Sequence, residues 1–422
     1  MVVLAENEIP RKTLTKPSNR GNLELRTREY PQVIKYMGSK AAILPFIAAE
    51  LSEVHAEGRP IVDLFAGACA ISGGFGNITK IISNDIQEYS AVIASTYLKR
   101  AKKIGNYDII KSAAPIVESN LSKLPTGLAY PRHISLAEFN KIENRNRELL
   151  NRKFDYSHHL FTKNYSGTWW SAEQCVWIDA IRQILDELLS KKEIERADFN
   201  FALTCLMHSM AYTSQGTGHY AQYRDAKTEK GMADINKYRQ ASVAQIFQRK
   251  FTSLLKWNLE NVEDLNHELV ALDYRECLSK INRPSVIYAD PPYAFVHYSR
   301  FYHAMETVVK YDYPQLQYLR NNIVKGRYRT ERHQSPFCIK TKVRKAFIDL
   351  FEGVKTSNSD LLLSYSNTGM IQIEDLMNLA TEVFGEDYEL WFEHMSHTHM
   401  TMGRREDRSR NVQESLIIAR RK

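Results

Sequence analysis

Short runs of β-branched and aromatic residues recur along this chain: Ile61–Phe65, Ile81–Asn84, Val286–Ala289, Leu361–Tyr365, Glu389–Phe392 and Ser415–Ala419. Each is apolar on both faces rather than alternating, as expected of strands buried inside a sheet with helices on its two sides. Ser39–Glu57 reads as a helix ahead of the first strand, capped by Ser39 and stopped at Gly58. Between about residues 105 and 265 the strand pattern vanishes and helical, polar sequence takes over. Its clearest element is Ala172–Leu189, where Ser171 and Gln174 form a capping box and Cys175, Ile178, Ile181, Leu185 and Leu188 make an apolar stripe. The pattern predicts an α/β fold with four segments. These are a basic N-terminal arm (1–29), a first sheet segment (30–104), a helical insertion (105–265) and a second sheet segment (266–422).

Composition adds limits. The chain has 422 residues, 43% hydrophobic and 25% charged, close to soluble globular averages, which excludes disordered and fibrous classes. No apolar run approaches the roughly 20 residues of a transmembrane helix. The opening stretch MVVLAENEIPRKTLTKP meets acidic residues and proline too early for a signal peptide. The 5 cysteines are scattered without a C-x-x-C pair. A reducing, cytoplasmic location is therefore expected, without a disulfide framework or a zinc finger.

The net charge of +8 becomes informative through its clustering. Residues 11–28 carry Arg11, Lys12, Lys16, Arg20, Arg26 and Arg28 with no periodicity, and read as a mobile basic arm. Residues 325–345 carry Lys325, Arg327, Arg329, Arg332, Lys340, Lys342, Arg344 and Lys345. Arg404, Arg405, Arg408 and Arg410 form a third group. Any one such run is ordinarily a solvated surface. Three around one catalytic signature predict a phosphate-binding surface and a nucleic-acid partner.

That signature is Val286-Ile-Tyr-Ala-Asp290-Pro291-Pro292-Tyr293. A buried strand ends in a carboxylate, two prolines enforce a rigid extended turn, and an aromatic follows. In an open α/β sheet, ligands bind at the carboxyl ends of the strands. A carboxylate and a backbone carbonyl there suit a planar amine: they accept both amine hydrogens while the ring stacks on the attached base. Alone, D-P-P-Y is as readily a turn after a core strand. It is accompanied by Ile61-Val-Asp63-Leu-Phe65-Ala-Gly67, a strand entering a glycine turn, and by Ile81-Ile-Ser-Asn84-Asp85, a strand ending in an acid suited to ribose hydroxyls. Lys35-Tyr36-Met37-Gly38-Ser39-Lys40 opens the first helix, where a glycine turn with a lysine suits a carboxylate.

These blocks, in this order, resemble the Dam-like class of DNA N6-adenine methyltransferases, the α-group of amino-methyltransferases. The family pattern runs K-W-x-G-G-K, D-x-F-x-G-x-G, N-D, an insertion, then D-P-P-Y, and the resemblance covers roughly residues 30–100 and 268–422. It implies a class I, Rossmann-like, S-adenosylmethionine-dependent enzyme that methylates N6 of a flipped adenine in duplex DNA at a short specific sequence, and needs no metal. It further implies that Tyr36, Lys40, Asp63, Phe65, Gly67 and Asp85 contact the cofactor, that Asp273 lies near its adenine, and that Asp290 stands between methionine moiety and target amine. Pro291, Pro292 and Tyr293 complete the catalytic block. The helical insertion would read the target sequence. A bacterial or phage restriction–modification setting, with a separate endonuclease as partner, follows from the same resemblance.

The match has departures. Tyr36 and Ser39 replace Trp and Gly of the first block, and Cys69 replaces the last glycine of the second, so that turn must accept a side chain. Arg300, in Tyr298-Ser-Arg300-Phe301-Tyr302-His303, is a candidate phosphate or base clamp, as are Lys325, Arg327, Arg329 and Arg332. Gln222 and Arg224, in the glycine-containing stretch 213–224, are of the types that read adenine and guanine edges. Ser366-Asn367 should face the same crevice. His394, His397 and His399 lack the carboxylates of a metal site, and Trp169-Trp170 reads as core. Cytosine N4, an RNA base or a protein glutamine are alternative planar amines, and a DNA-binding relative with a dead catalytic centre is the distant alternative. Without a Pro-Cys motif, cytosine C5 chemistry is disfavoured.

Overall fold

The computed structural model describes residues 25–215, 219–292, 298–366, 369–400 and 409–422, the side chains of 396–400 and 409–413 excepted. Tyr293, Asn367, Arg404, Arg405, Arg408 and most of the basic arm lie outside the described residues.

A 3-10 turn, Lys40–Ile43, leads into α1 (Leu44–Val54). The helix proper therefore starts later than the sequence pattern suggests and ends at Val54 rather than Glu57. Pro45 stands in its first turn, where the missing N–H costs nothing, and the preceding turn is tightened with Ser39 Oγ accepting from the Ala41 N–H at 3.4 Å. Then come β1 (Ile61–Asp63), α2 (Ala70–Phe75), β2 (Ile81–Asn84) and α3 (Glu88–Leu98). A helical stretch follows: α4 (Ile109–Ser122), α5 (Leu136–Glu148), α6 (Leu160–Tyr165), α7 (Ala172–Ser190), α8 (Arg196–Thr213), α9 (Glu229–Arg239) and α10 (Val243–Asn261). The Ser171–Gln174 capping box is present at α7, both bonds made. The chain returns to the sheet through β3 (Glu268–Val270), α11 (Tyr274–Ser279) and β4 (Val286–Ala289). It continues through α12 (Tyr298–Phe301), α13 (His303–Lys310) and a small hairpin of β5 (Tyr318–Leu319) and β6 (Asn322–Ile323). The last elements are α14 (Val343–Thr356), β7 (Asp360–Ser366), α15 (Ile373–Phe384), β8 (Tyr388–Met400) and β9 (Ser409–Arg421).

The sheet has 7 strands in the order β3-β2-β1-β4-β7-β9-β8. The first five of that order pair in parallel, while β9 is antiparallel to both β7 and β8. Alternate strand residues feed two cores. Ile61, Tyr288, Leu362 and Ile418 join α1, α3, α7 and α8 on one face; Val62, Ile287, Leu361, Leu363 and Ile417 join α14 and α15 on the other. The α/β sheet with helices on both faces expected from the strand runs, and the Rossmann-like fold implied by the resemblance, are thus realised.

The helical stretch shares the first of these cores, with Thr96 Oγ1 of α3 donating to Thr204 Oγ1 of α8 at 2.9 Å. Trp169 and Trp170 are fully buried there, and the Trp170 indole N–H donates to the Met210 carbonyl at 3.1 Å. They are core. The β8–β9 hairpin is far longer than the two short apolar runs suggested. Beyond β7 its strands pair only with each other, so Ser396–Met400 needs no apolar pattern. Arg28 departs from the picture of a mobile arm: its guanidinium donates to the carbonyls of Gly73 (2.7 Å) and Tyr97 (2.8 Å), docking the chain from about Leu25 onward.

Candidate active site

The strand order has a reversal. From β1 the chain moves outward to β2 and β3, then returns to place β4 on the other side of β1. At such a switch point the loops leaving the two central strands diverge and open a crevice. The crevice here encloses about 1140 Å³, part of it open to solvent. Tyr36, Lys40, Asp63, Phe65, Gly67, Asp85, Asp273, Asp290, Pro291 and Pro292 all line it. Residues drawn from five separated stretches of the sequence therefore meet at one place.

The turn after β1 is built around Gly67. Its φ of +50° favours glycine, and a Cβ added there would come within 3.0 Å of the Tyr36 ring. The Gly67 N–H donates to Asp85 Oδ2 at 2.9 Å, while the Gln87 N–H donates to Asp85 Oδ1 at 2.9 Å. Two backbone donors thus fix the carboxylate at the end of β2, with lone pairs remaining for a ligand. Burial pushes the Asp85 carboxyl up, and those N–H groups oppose the shift. Asp63 is fully buried beneath the turn; burial first, then the charges of Asp290 and Asp85, push its carboxyl well above the usual range. Its Oδ2 has no hydrogen-bond partner among the described residues.

Aromatic walls close the crevice. Tyr36 stacks on Tyr302 with centroids 4.5 Å apart, and the Tyr302 hydroxyl accepts from the Met37 N–H at 2.8 Å. Phe65 packs edge-on against Phe337 at 5.5 Å and tilted against Tyr274 at 5.8 Å. Asp273 caps α11, accepting from the Arg275 N–H at 3.0 Å and from Arg275 Nε at 2.9 Å. Burial opposes its ionisation, but those bonds and the Arg275 charge outweigh it and hold the carboxyl below the usual range.

Asp290 emerges from the fully buried β4, its side chain 17% exposed. Lys40 Nζ lies 3.3 Å from Asp290 Oδ1 and 3.1 Å from Glu414 Oε2. The lysine is thus engaged by two protein carboxylates, whereas its sequence context suggested a cofactor carboxylate. The Cys338 thiol donates to the Pro292 carbonyl at 3.4 Å and tethers the proline turn.

Cys69 stands at φ +63°, the left-handed conformation a glycine would hold there. Its thiol turns into the core and donates to the Ser90 carbonyl at 3.2 Å, and the residue does not line the crevice. The side chain that replaces the expected glycine therefore leaves the crevice open.

Reasoning from sequence missed four supports. Asn84 donates to the carbonyls of Leu64 (3.0 Å) and Leu272 (3.2 Å) and accepts from the Leu272 N–H (3.0 Å), cross-linking the ends of three strands. Asn beside the acid at a strand end was the available signal. Cys338 had none. Glu414 stands directly before the Ser415–Ala419 run, but nothing local marks its pairing with the distant Lys40. The β5–β6 hairpin exposes Tyr318 (61%) and Leu319 (68%) around a turn at Arg320 and Asn321, both at positive φ.

The candidate nucleic-acid residues divide. Arg300 lies 4.8 Å over the Tyr328 ring with Nη2 donating to its hydroxyl at 3.4 Å, and Arg332 lies 5.1 Å over the same ring. Both keep access to solvent. Gln222 is exposed, and Lys325 pairs with Asp225 at 2.5 Å while staying accessible. Arg224 pairs with Asp234 at 2.7 Å and donates to the Gln215 carbonyl at 3.0 Å. Arg329 and Arg327 are buried, contrary to an open basic surface. Arg329 is used in a two-pronged pair with Asp312 at 2.7 and 2.6 Å, and burial lowers the Arg327 pKa. The basic run is half structural because its partners, Asp225 and Asp312, lie elsewhere in the sequence.

Three modification enzymes are similar over most of this chain. The modification methylase LlaI of Lactococcus lactis subsp. lactis is 24% identical over 354 residues, 82% of this chain and 48% of that protein. The type II methyltransferase M.FokI of Planomicrobium okeanokoites is 25% identical over 370 residues, 85% and 48% respectively. The type II methyltransferase M.NlaIII of Neisseria lactamica is 22% identical over 362 residues, 85% and 90%. The chain thus spans about half the length of the first two. A family profile described as D12 class N6 adenine-specific DNA methyltransferase matches residues 36–378, from the Tyr36 wall of the crevice past β7. Since that match takes in well over half of the chain, the protein belongs to the D12 class N6 adenine-specific DNA methyltransferase family.

Proposed function

We propose that this protein transfers a methyl group from S-adenosylmethionine to N6 of an adenine flipped out of duplex DNA, as the modification partner of a separate restriction endonuclease. The observation that carries the reading is Asp290, held at the carboxyl end of β4 beside a crevice whose opposite side is the Gly67–Asp85 turn. The donor set fits the cofactor. Asp85 offers fixed lone pairs to two ribose hydroxyls, Phe65 an aromatic flank and Asp273 a neighbour for the adenine. The unpartnered Asp63 Oδ2 and Lys40 lie toward the methionine end, and Tyr36 closes the wall. No metal enters this scheme.

When bound, the cofactor supplies an electrophilic methyl group on a sulfonium sulfur. The chain's residues deal with the amine. An N6 amine conjugated to purine is a poor nucleophile; the Asp290 carboxylate and Pro291 carbonyl accept its two hydrogens and orient the lone pair. Tyr293 stacks on the base. The target must leave the helix to reach this crevice. The exposed Tyr318 and Leu319, next to Gln317 that accepts from Arg332, suit contact with a distorted duplex, and residues 105–265, Gln222 among them, form the target-reading unit.

Methyl transfer to a mixed-sequence duplex, followed by digestion to nucleosides, tests the reading: N6-methyladenine is expected, and N4-methylcytosine or label in protein refutes it. Arg300→Ala should weaken DNA binding and lower the slope of log K against log salt by about one phosphate contact. Arg329→Ala should instead cost about 1–2 kcal/mol of stability with the salt slope unchanged. Equilibrium binding and thermal melts separate the two. Cys69→Gly should leave cofactor affinity within about twofold, because the thiol lies outside the crevice. A gain of tenfold by calorimetry would mark Cys69 as a lesion.

A further inference from the structure

Glu414 lies beyond the family match and belongs to no block of the motif pattern. It sits on β9 opposite Ser366 of β7. Because β9 runs antiparallel to β7, its early residues reach the end of the sheet where the parallel strands finish, beside the crevice. The side chain is 1% exposed, and its Oε2 is 3.1 Å from Lys40 Nζ, itself 3.3 Å from Asp290 Oδ1. One nearly buried ammonium therefore stands between two carboxylates.

Charge and geometry give this arrangement a consequence. A Lys40–Asp290 pair by itself is neutral, and its ammonium lies against the carboxylate that would receive the target amine. A second carboxylate, Glu414, shares that ammonium and weakens its hold on Asp290. We propose that Glu414 is a positioning residue for methyl transfer: by sharing Lys40 it keeps Asp290 an effective acceptor as the target nitrogen becomes cationic. This rests on the adenine-methylation reading. In that step the N6 lone pair forms the new N–C bond, the electron pair of the breaking S–C bond goes to sulfur, and one N6 proton leaves through Asp290 to solvent. Glu414 itself touches neither base nor cofactor. The alternative is that it only pins the first turn of the chain to the last strand.

Steady-state kinetics on a duplex oligonucleotide, with cofactor binding by calorimetry and thermal melts, separates the two roles. Glu414→Gln should lower kcat about 30-fold while KM for DNA and cofactor affinity stay within about threefold. Glu414→Asp, which keeps the charge, should restore most of the loss. In a Lys40→Met background, Glu414→Gln should cost nothing further, since the ammonium it restrains is gone. An unchanged kcat in Glu414→Gln, or an equal kcat loss with and without Lys40, overturns the proposal. If Glu414→Gln does not fold, the Lys40→Met comparison decides by the same criterion: no further kcat loss supports the proposal, and a further loss or failure to fold overturns it. Wild-type protein that places no methyl group on adenine refutes the functional reading instead, whatever the variants do.

Discussion

Replacing Asp290 with alanine is expected to lower kcat by about 10³-fold, close to 4 kcal/mol of transition-state stabilisation. On the proposed reading the carboxylate would accept from an amine that gains positive charge as it reacts, so its contribution would grow toward the transition state rather than being spent equally on substrate binding. Cofactor affinity should fall by no more than about tenfold, because Asp85 and the Phe65 wall remain. Folding should survive: Asp290 follows β4 instead of packing inside it, and Lys40 keeps Glu414 as a partner. Asp290→Asn preserves the shape and one acceptor oxygen but loses the charge, and should fall between the two. Single-turnover rates together with calorimetric titration of the cofactor measure both halves of this expectation. Equal losses in binding and rate would make Asp290 a cofactor ligand only.

Asp85→Ala should act in the opposite sense. Two ribose hydroxyls would lose charge-assisted acceptors, each contributing about 1.5–3 kcal/mol, so cofactor affinity should drop by roughly 10²-fold or more. The loss also reaches the turn itself, since the N–H groups of Gly67 and Gln87 lose the carboxylate they share. At saturating cofactor, kcat should recover to within about fivefold of wild type, because Asp290 and the proline turn are untouched. A kcat deficit that persists at saturation would place Asp85 in the chemical step.

These two positions were readable because each terminates a strand buried on both faces. Such a strand is a short apolar run, and the acid closing it stands out against that run. The capping box at Ser171 was readable for a similar reason, being complete within four consecutive residues. Glu414 was not, since its partner Lys40 is 374 positions away and nothing local marks the pairing. The basic run at 325–332 misled in the same way. Counting charges cannot tell Arg329, whose guanidinium is taken up by Asp312, from Arg332, which keeps a solvent face. The Tyr318–Ile323 hairpin is too short for periodicity and became visible only through its exposure. Local pattern thus marks strand ends and caps, whereas charge pairing across the sheet needs the fold.

The most direct test of the central claim is single-molecule sequencing of DNA from a host that lacks adenine methylation of its own and expresses this protein. N6-methyladenine is predicted at one short recurring sequence, and it should disappear with Asp290→Ala. N4-methylcytosine at a recurring sequence, with adenine unmodified, would contradict the account.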